Sequence, residues 1–119
     1  MLNLDTHLVV ALLDGSLNSK ETTLVSVEPL AVSPIVFWEL AKLVQLRRLT
    51  MDFDSLEFRN FLRQVTVIPI TFEIALASTQ LDFHSDPADQ IIAATSMIHR
   101  IPLLTRDRKI RKSKIVPFA

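Results

Sequence analysis

Asp86-Pro87-Ala88-Asp89-Gln90-Ile91-Ile92-Ala93-Ala94-Thr95-Ser96-Met97-Ile98-His99, followed after Arg100 by Ile101-Pro102-Leu103-Leu104-Thr105-Arg106-Asp107, is the stretch on which the fold turns. Its first part reads as a helix, Pro87–His99. Asp86 is placed as the cap, Pro87 stands at the first helical position where a missing N–H costs nothing, and Asp89 follows where a carboxylate favours the helix dipole. From Ile91 to Thr95 the residues are small or apolar enough to bury almost the whole helix. The second part, Ile101–Thr105, is apolar, brief and bounded by polar residues, and reads as a buried strand. Working outward, the same alternation recurs. Leu2–Leu4, Leu30–Ser33 and Val65–Ile70 read as strands, and His7–Leu13, Ser19–Val27, Pro34–Arg48, Asp54–Arg63 and Phe72–Gln80 as helices. Strands that alternate with helices imply an α/β fold with a mostly parallel sheet covered on both faces. A last short strand, Ile115–Phe118, is expected to close an edge.

Four acidic residues stand where strand-like runs give way to helix or loop: Asp5, Glu39, Asp89 and Asp107. In a parallel sheet the carboxyl ends of the strands lie along one edge, so residues far apart in sequence converge there on one crevice. Two carboxylates about 5 Å apart repel by roughly 3 kcal/mol at an effective dielectric of about 20, so such a group needs protons or a hard divalent cation. The expected site therefore holds Mg²⁺ or Mn²⁺. Each acid also has a local explanation. Asp5 can cap the helix after it, Asp107 can pair with Arg106 or Arg108, Glu39 with Lys42, and Asp89 serves its helix start. Capping and metal binding are compatible, and it is the four together that point to a cation.

The chain's 119 residues suit one domain, 1–119, and are too few for two. Apolar residues make up 49%, and 13 basic residues balance 13 acidic ones, so bulk charge names no partner and local charge must be read instead. Cysteine is absent, which excludes disulfides and thiolate metal sites. No apolar run approaches the roughly 18 residues of a membrane span, and Met1–Asp5 reaches a carboxylate too early for a signal peptide. A cytoplasmic protein without a membrane partner is expected. The single glycine, Gly15, sits in a turn at Asp14-Gly15-Ser16, so phosphate-binding glycine loops are excluded.

Other chemistries find less support. Asp5-Thr6-His7 has a histidine where an aspartyl-nucleophile phosphatase needs its second acid, and neither a Ser or Cys nucleophile with a base nor a zinc spacing occurs. Arg106, Arg108, Lys109, Arg111, Lys112 and Lys114 form a basic run that begins beside Asp107. Such runs are often solvated tails. Here carboxylates and phosphate-binding cations share one surface, as phosphodiester hydrolysis requires. Trp38 and several of the phenylalanines sit in apolar contexts and are expected in the core rather than in a base-stacking ladder.

Four segments together carry a family resemblance: Leu4-Asp5-Thr6-His7, Ser33 with Trp38-Glu39-Leu40-Ala41-Lys42, Asp86-Pro87-Ala88-Asp89-Gln90-Ile91-Ile92-Ala93-Ala94, and Pro102-Leu103-Leu104-Thr105 with Asp107. In order and spacing the chain resembles PIN-domain proteins, and more closely the toxin ribonucleases of the VapC type. The resemblance implies a three-layer α/β/α domain, a crevice of acids holding Mg²⁺ or Mn²⁺, endonucleolytic cleavage of RNA, a homodimer and an antitoxin partner. It places the family's acids on Asp5, Glu39, Asp89 and Asp107, a supporting hydroxyl on Thr105 and an auxiliary acid on Asp86. Two departures stand out: Gln90 where many relatives have arginine, and no glycine between Arg100 and Pro102.

The expected mechanism is metal-assisted hydrolysis. Asp5, Glu39 and Asp89 hold one divalent ion, Asp107 helps bind a second or orients water, and Arg106, Arg108 and Lys109 steer the RNA backbone. No side-chain nucleophile is needed, because phosphoryl hydrolysis requires chiefly positioning and charge stabilisation. Two alternatives stay open: a non-catalytic PIN-like binding module and a structure-specific DNase.

Overall fold

A computed structural model describes every residue from Met1 to Ala119. Strands β1 (Leu2–Leu4), β2 (Leu30–Val32), β3 (Thr66–Val67) and β4 (Leu103–Leu104) form one sheet in the order β3-β2-β1-β4, and every neighbouring pair is parallel. Helices α1 (Thr6–Asp14), α2 (Ser19–Val27), α3 (Ile35–Gln45), α4 (Leu56–Gln64), α5 (Phe72–Ser78), α6 (Pro87–His99) and α7 (Arg108–Arg111) connect and follow them. Parallel strands need crossovers, and crossover helices cover both faces of a sheet. Both faces are covered here, giving three layers.

The layers follow from strand alternation. Asn3 and Ala31 are paired in register and point to one face, where Ala31 joins Ile68, Ile74, Ala77 and Ala94 beneath α5 and α6. Leu2, Leu4 and Val32 belong to the larger cluster with Leu8, Val9, Val36, Leu40, Phe58 and Phe61. Burying one such aliphatic side chain contributes roughly 1.5–3 kcal/mol, so these strands are held by packing despite their brevity. Asn3 fastens α6 to the sheet: its amide donates to the Ile92 carbonyl at 3.1 Å and to Ser96 Oγ at 2.9 Å. The small residues Ala88, Ala93 and Ala94 let α6 lie this close.

Several expected boundaries move. The Val65–Ile70 run contributes only Thr66–Val67, because this is an edge strand whose own residues are exposed and Pro69 cannot donate to a ladder. Helix α3 ends at Gln45 rather than at Arg48. Arg47 turns to φ 58°, and the N–H groups of Leu46 and Arg48 bond back to the Lys42 and Leu43 carbonyls, both at 2.9 Å. The helix expected from Asp54 begins at Leu56, capped by Ser55. Ile115–Phe118 forms no strand; a single parallel bridge from Phe118 to Leu103 covers the β4 edge. The basic run, to which the sequence assigned no element, holds the short helix α7.

Trp38 is 56% exposed, against the expectation that it is core, whereas Phe58 and Phe61 are buried. Periodicity accounts for Trp38. The buried residues of α3 are Val36 and Leu40, one turn apart, and residue 38 lies on the opposite side of the helix.

Candidate metal centre

Each candidate carboxylate sits at the start of a helix or just within one. Asp5 follows β1 directly and caps α1, accepting the Leu8 N–H at 2.9 Å while only 3% exposed. Its other carboxylate oxygen accepts from the Thr105 hydroxyl, which follows β4. Glu39 lies in the second turn of α3, half-buried, and accepts from the Thr6 hydroxyl. Asp86 caps α6 by accepting the Asp89 N–H at 2.9 Å, and Asp89 in turn accepts from Ser85 Oγ at 2.8 Å. Asp107 caps α7, accepting from the N–H groups of Lys109 at 2.8 Å and Ile110 at 3.2 Å. Its own N–H donates to Thr105 Oγ1 at 3.1 Å. Thr105 thus joins Asp5 and Asp107 through one hydroxyl.

Glu39, Asp86 and Asp89 each offer a carboxylate oxygen within 4.8 Å of the others. Asp86, expected as an auxiliary acid, therefore stands in the tightest group. Burial raises the Asp5 carboxyl above its ordinary range, opposed by the Thr105 and Leu8 hydrogen bonds, with the Asp107 charge adding to the rise. Burial likewise raises Glu39, against the Thr6 hydrogen bond, and the charges of Asp86 and Asp5 push the same way. Asp89 is pushed up to about 6, first by burial and then by the charges of Asp86, Glu39 and Asp107, with the Ser85 hydroxyl resisting. The five carboxylates are one electrostatic unit. His7, exposed beside them, favours the ionised forms of Asp5 and Glu39.

The donor set is all carboxylate oxygen, with no thiolate or imidazole in the tight group, which suits hard cations that prefer oxygen. The mutual repulsion of Glu39, Asp86 and Asp89 is what a divalent cation between them would relieve. The residues fit a divalent metal.

The basic residues are placed differently from one another. The Arg106 guanidinium, expected on the substrate's phosphates, forks onto Glu21 of α2, with Nε to Oε2 at 2.8 Å and Nη2 to Oε1 at 2.6 Å, and Nη2 also reaches the Ser16 carbonyl at 3.1 Å. Arg111 bonds the Thr105 carbonyl at 3.3 Å and lies over the Phe118 ring, 5.6 Å from its centroid. Arg108 and Lys109 are exposed and make no ion pair. Sequence reading passed over Thr6, Ser85 and Glu21. The signal for Glu21 was present in Asn18-x-x-Glu21, a capping box in which Asn18 and Glu21 exchange bonds at 2.8 and 2.9 Å. Nothing in the sequence marked the second bond that Glu21 makes.

The PIN-domain family profile matches residues 3–115. Ribonuclease VapC22 of Mycobacterium tuberculosis is 33% identical over 90 residues, which are 73% of this chain and 69% of that protein. Among solved structures, VapBC2 from Rickettsia felis, bound to a DNA fragment from its promoter, superposes with a TM-score of 0.75 at 16% identity, covering 100% of this chain and 98% of that one. A toxin–antitoxin complex from Klebsiella pneumoniae superposes with a TM-score of 0.68 at 24% identity, covering 92% and 88%. FitAcB from Neisseria gonorrhoeae does so with a TM-score of 0.69 at 19% identity, covering 100% and 97%. At these identities the structural likenesses speak for the fold. With the profile spanning nearly all of its length and a VapC ribonuclease among its relatives, the chain belongs to the PIN-domain family, in its VapC branch.

Proposed function

We propose that the chain is an endoribonuclease dependent on Mg²⁺ or Mn²⁺ and the toxin of a toxin–antitoxin pair. The observation that carries the reading is the convergence of Glu39, Asp86 and Asp89, with an oxygen of each within 4.8 Å of the others, beside the buried Asp5. Relatives named as a ribonuclease and as toxin–antitoxin complexes support the substrate and the partner.

The catalytic carboxylates are Asp5, Glu39, Asp89 and Asp107, and Asp86 joins them as a ligand. A divalent cation supplies neutralisation of the charge that builds on the phosphate, together with an acidified water. The protein's part is placement. Asp5 is fixed from both sides by the Leu8 N–H and the Thr105 hydroxyl, and Glu39 is fixed by Thr6, so their oxygens cost little ordering when RNA arrives. Thr105 holds Asp107 at a constant offset from Asp5, where its carboxylate can orient water or a second ion. Arg108 and Lys109, both exposed, contact the RNA backbone, whereas Arg106 orients the segment that carries Thr105 and Asp107.

The protein acts in the cytoplasm, and none of its helices is long and apolar enough to cross a membrane. Its protein partners are an antitoxin and a second copy of the chain, for which the exposed Phe53, Leu56 and Leu62 offer apolar area. Incubation of the purified protein with total RNA and Mn²⁺ should give discrete cuts that a chelator abolishes, while DNA stays intact. Metal binding without cleavage would favour the non-catalytic module, and cleavage of DNA the structure-specific DNase.

A further inference from the structure

The cleft that Glu39 and Asp86 share is also lined by apolar residues. Between α3 and the start of α6 lies a cleft of about 450 Å³, lined by Ile35, Trp38 and Glu39 from α3 and by Asp86, Pro87 and Ile91 from α6 and its cap. Trp38 is the chain's only tryptophan, it is 56% exposed, and it immediately precedes Glu39 on α3. The helix that fixes the carboxylate therefore fixes the indole beside it. An exposed indole on a cleft wall is a large apolar surface left in water, and its flat π face is suited to stacking.

We propose that Trp38, with Ile35 and Ile91, forms a stacking subsite for one nucleobase of single-stranded RNA, next to the phosphate held at the carboxylates. The inference rests on the ribonuclease reading and adds to it the part of the substrate that the metal centre cannot grip. A nucleotide carries a flat apolar group and a phosphate one sugar apart, and the cleft offers an apolar plane next to a cation-binding cluster. Unpaired bases in loops and ends can be splayed onto aromatic side chains in this way. A protein occupant fits the cleft less well. An apolar protein surface pressed onto Trp38 would also strip water from Glu39 and the exposed Asp86, which is costly for charged groups, whereas a base covers the indole and leaves the carboxylates open to a cation.

The chain contains one tryptophan and no tyrosine, so Trp38 alone reports the subsite by fluorescence. The probes are a short single-stranded phosphorothioate oligoribonucleotide, which resists cleavage, and the same backbone with abasic positions, both added to the full chain with Mg²⁺. The base-bearing probe should quench Trp38 and the abasic probe should not. Trp38→Ala should weaken binding of the base-bearing probe by roughly 5- to 150-fold, the range that base–aromatic stacking supplies. Trp38→Phe should keep most of the affinity, and in cleavage assays Trp38→Ala should raise KM more than it lowers kcat. Because the side chain is exposed, both variants should fold, which far-UV circular dichroism checks. Equal quenching by the two probes, or unchanged affinity in Trp38→Ala, overturns the subsite. So does emission that shifts with protein concentration and ignores RNA, since Trp38 would then lie between copies of the chain. Metal-dependent cleavage of unmodified RNA by the wild-type protein alongside any of these results leaves the ribonuclease reading standing, and absence of that cleavage removes both.

Discussion

Asp5 performs two tasks that substitution can separate. As the cap of α1 it accepts the Leu8 N–H, and asparagine caps a helix about as well as aspartate. As a charge it repels Asp107 and Glu39. Asp5→Asn should therefore abolish RNA cleavage while leaving the metal-free protein as stable as before or more so, by urea unfolding. Asp5→Ala should lose the cap as well, at a cost of about 0.5–2 kcal/mol. If the asparagine variant unfolds, the carboxylate is structural and its place among the catalytic acids is lost. At this scale much of the site was legible: Asp5, Asp89 and Asp107 stand at strand ends or helix starts, where the residue types alone mark them. Arg100 was harder to place, since it adopts φ 56°, a conformation that usually calls for glycine and that its side chain gives no hint of.

Helix α2 is the least anchored of the longer elements, with Glu21 its only buried residue. Its connection to the site runs through the fork between Glu21 and Arg106, the residue immediately before Asp107, which caps α7. Glu21→Gln and Arg106→Gln should each lower the melting temperature and speed amide exchange around Thr105 and Asp107. The double variant should be little worse than the more damaging single one, because both remove the same interaction. Fully additive losses would show that the two side chains act separately. Element order and the parallel sheet were readable because short apolar runs and capping residues are local signals. The fork was not, since its partners are 85 residues apart. Nor was the position of Trp38, because apolar neighbours in sequence lie around a helix on different faces. The extent of β3 depends on what flanks it, and an edge strand with one neighbour has little sequence signature.

For the whole molecule, acidity acts through two opposed sets of carboxyl groups. Asp89 is raised from 3.8 to about 6, and Asp5 and Glu39 are raised as well, so across that window the folded protein binds more protons than the unfolded chain. Stability of the metal-free protein should accordingly fall as pH rises toward about 6. Glu21, lowered from 4.5 to about 2 by Arg106, works in the other sense: its contribution is full above 4.5 and is lost as pH falls toward 2. Calorimetric melts over a pH series should thus show a maximum on the acid side of neutrality. Mn²⁺ at about 100 times its dissociation constant should add roughly 2.7 kcal/mol. At that fixed Mn²⁺ concentration the gain should be larger above pH about 6, where Asp89 no longer holds its proton, and should shrink in Glu39→Gln and Asp89→Asn. Equal gains in all three proteins would place the metal elsewhere. The bond between Thr105 and Asp5 joins residues 100 apart, and β1, the first strand of the chain, lies between β2 and β4, the last. Synthesis runs from the first residue to the last, so a growing chain holds Asp5 long before the strand that completes its surroundings exists. Such distant pairings also form late in folding, because a long loop must close before they can repay its entropy. A nascent chain that has emerged only as far as β3 therefore carries Asp5 without Thr105 or the β4 edge, and the carboxylate centre cannot be complete before Asp107 has been added.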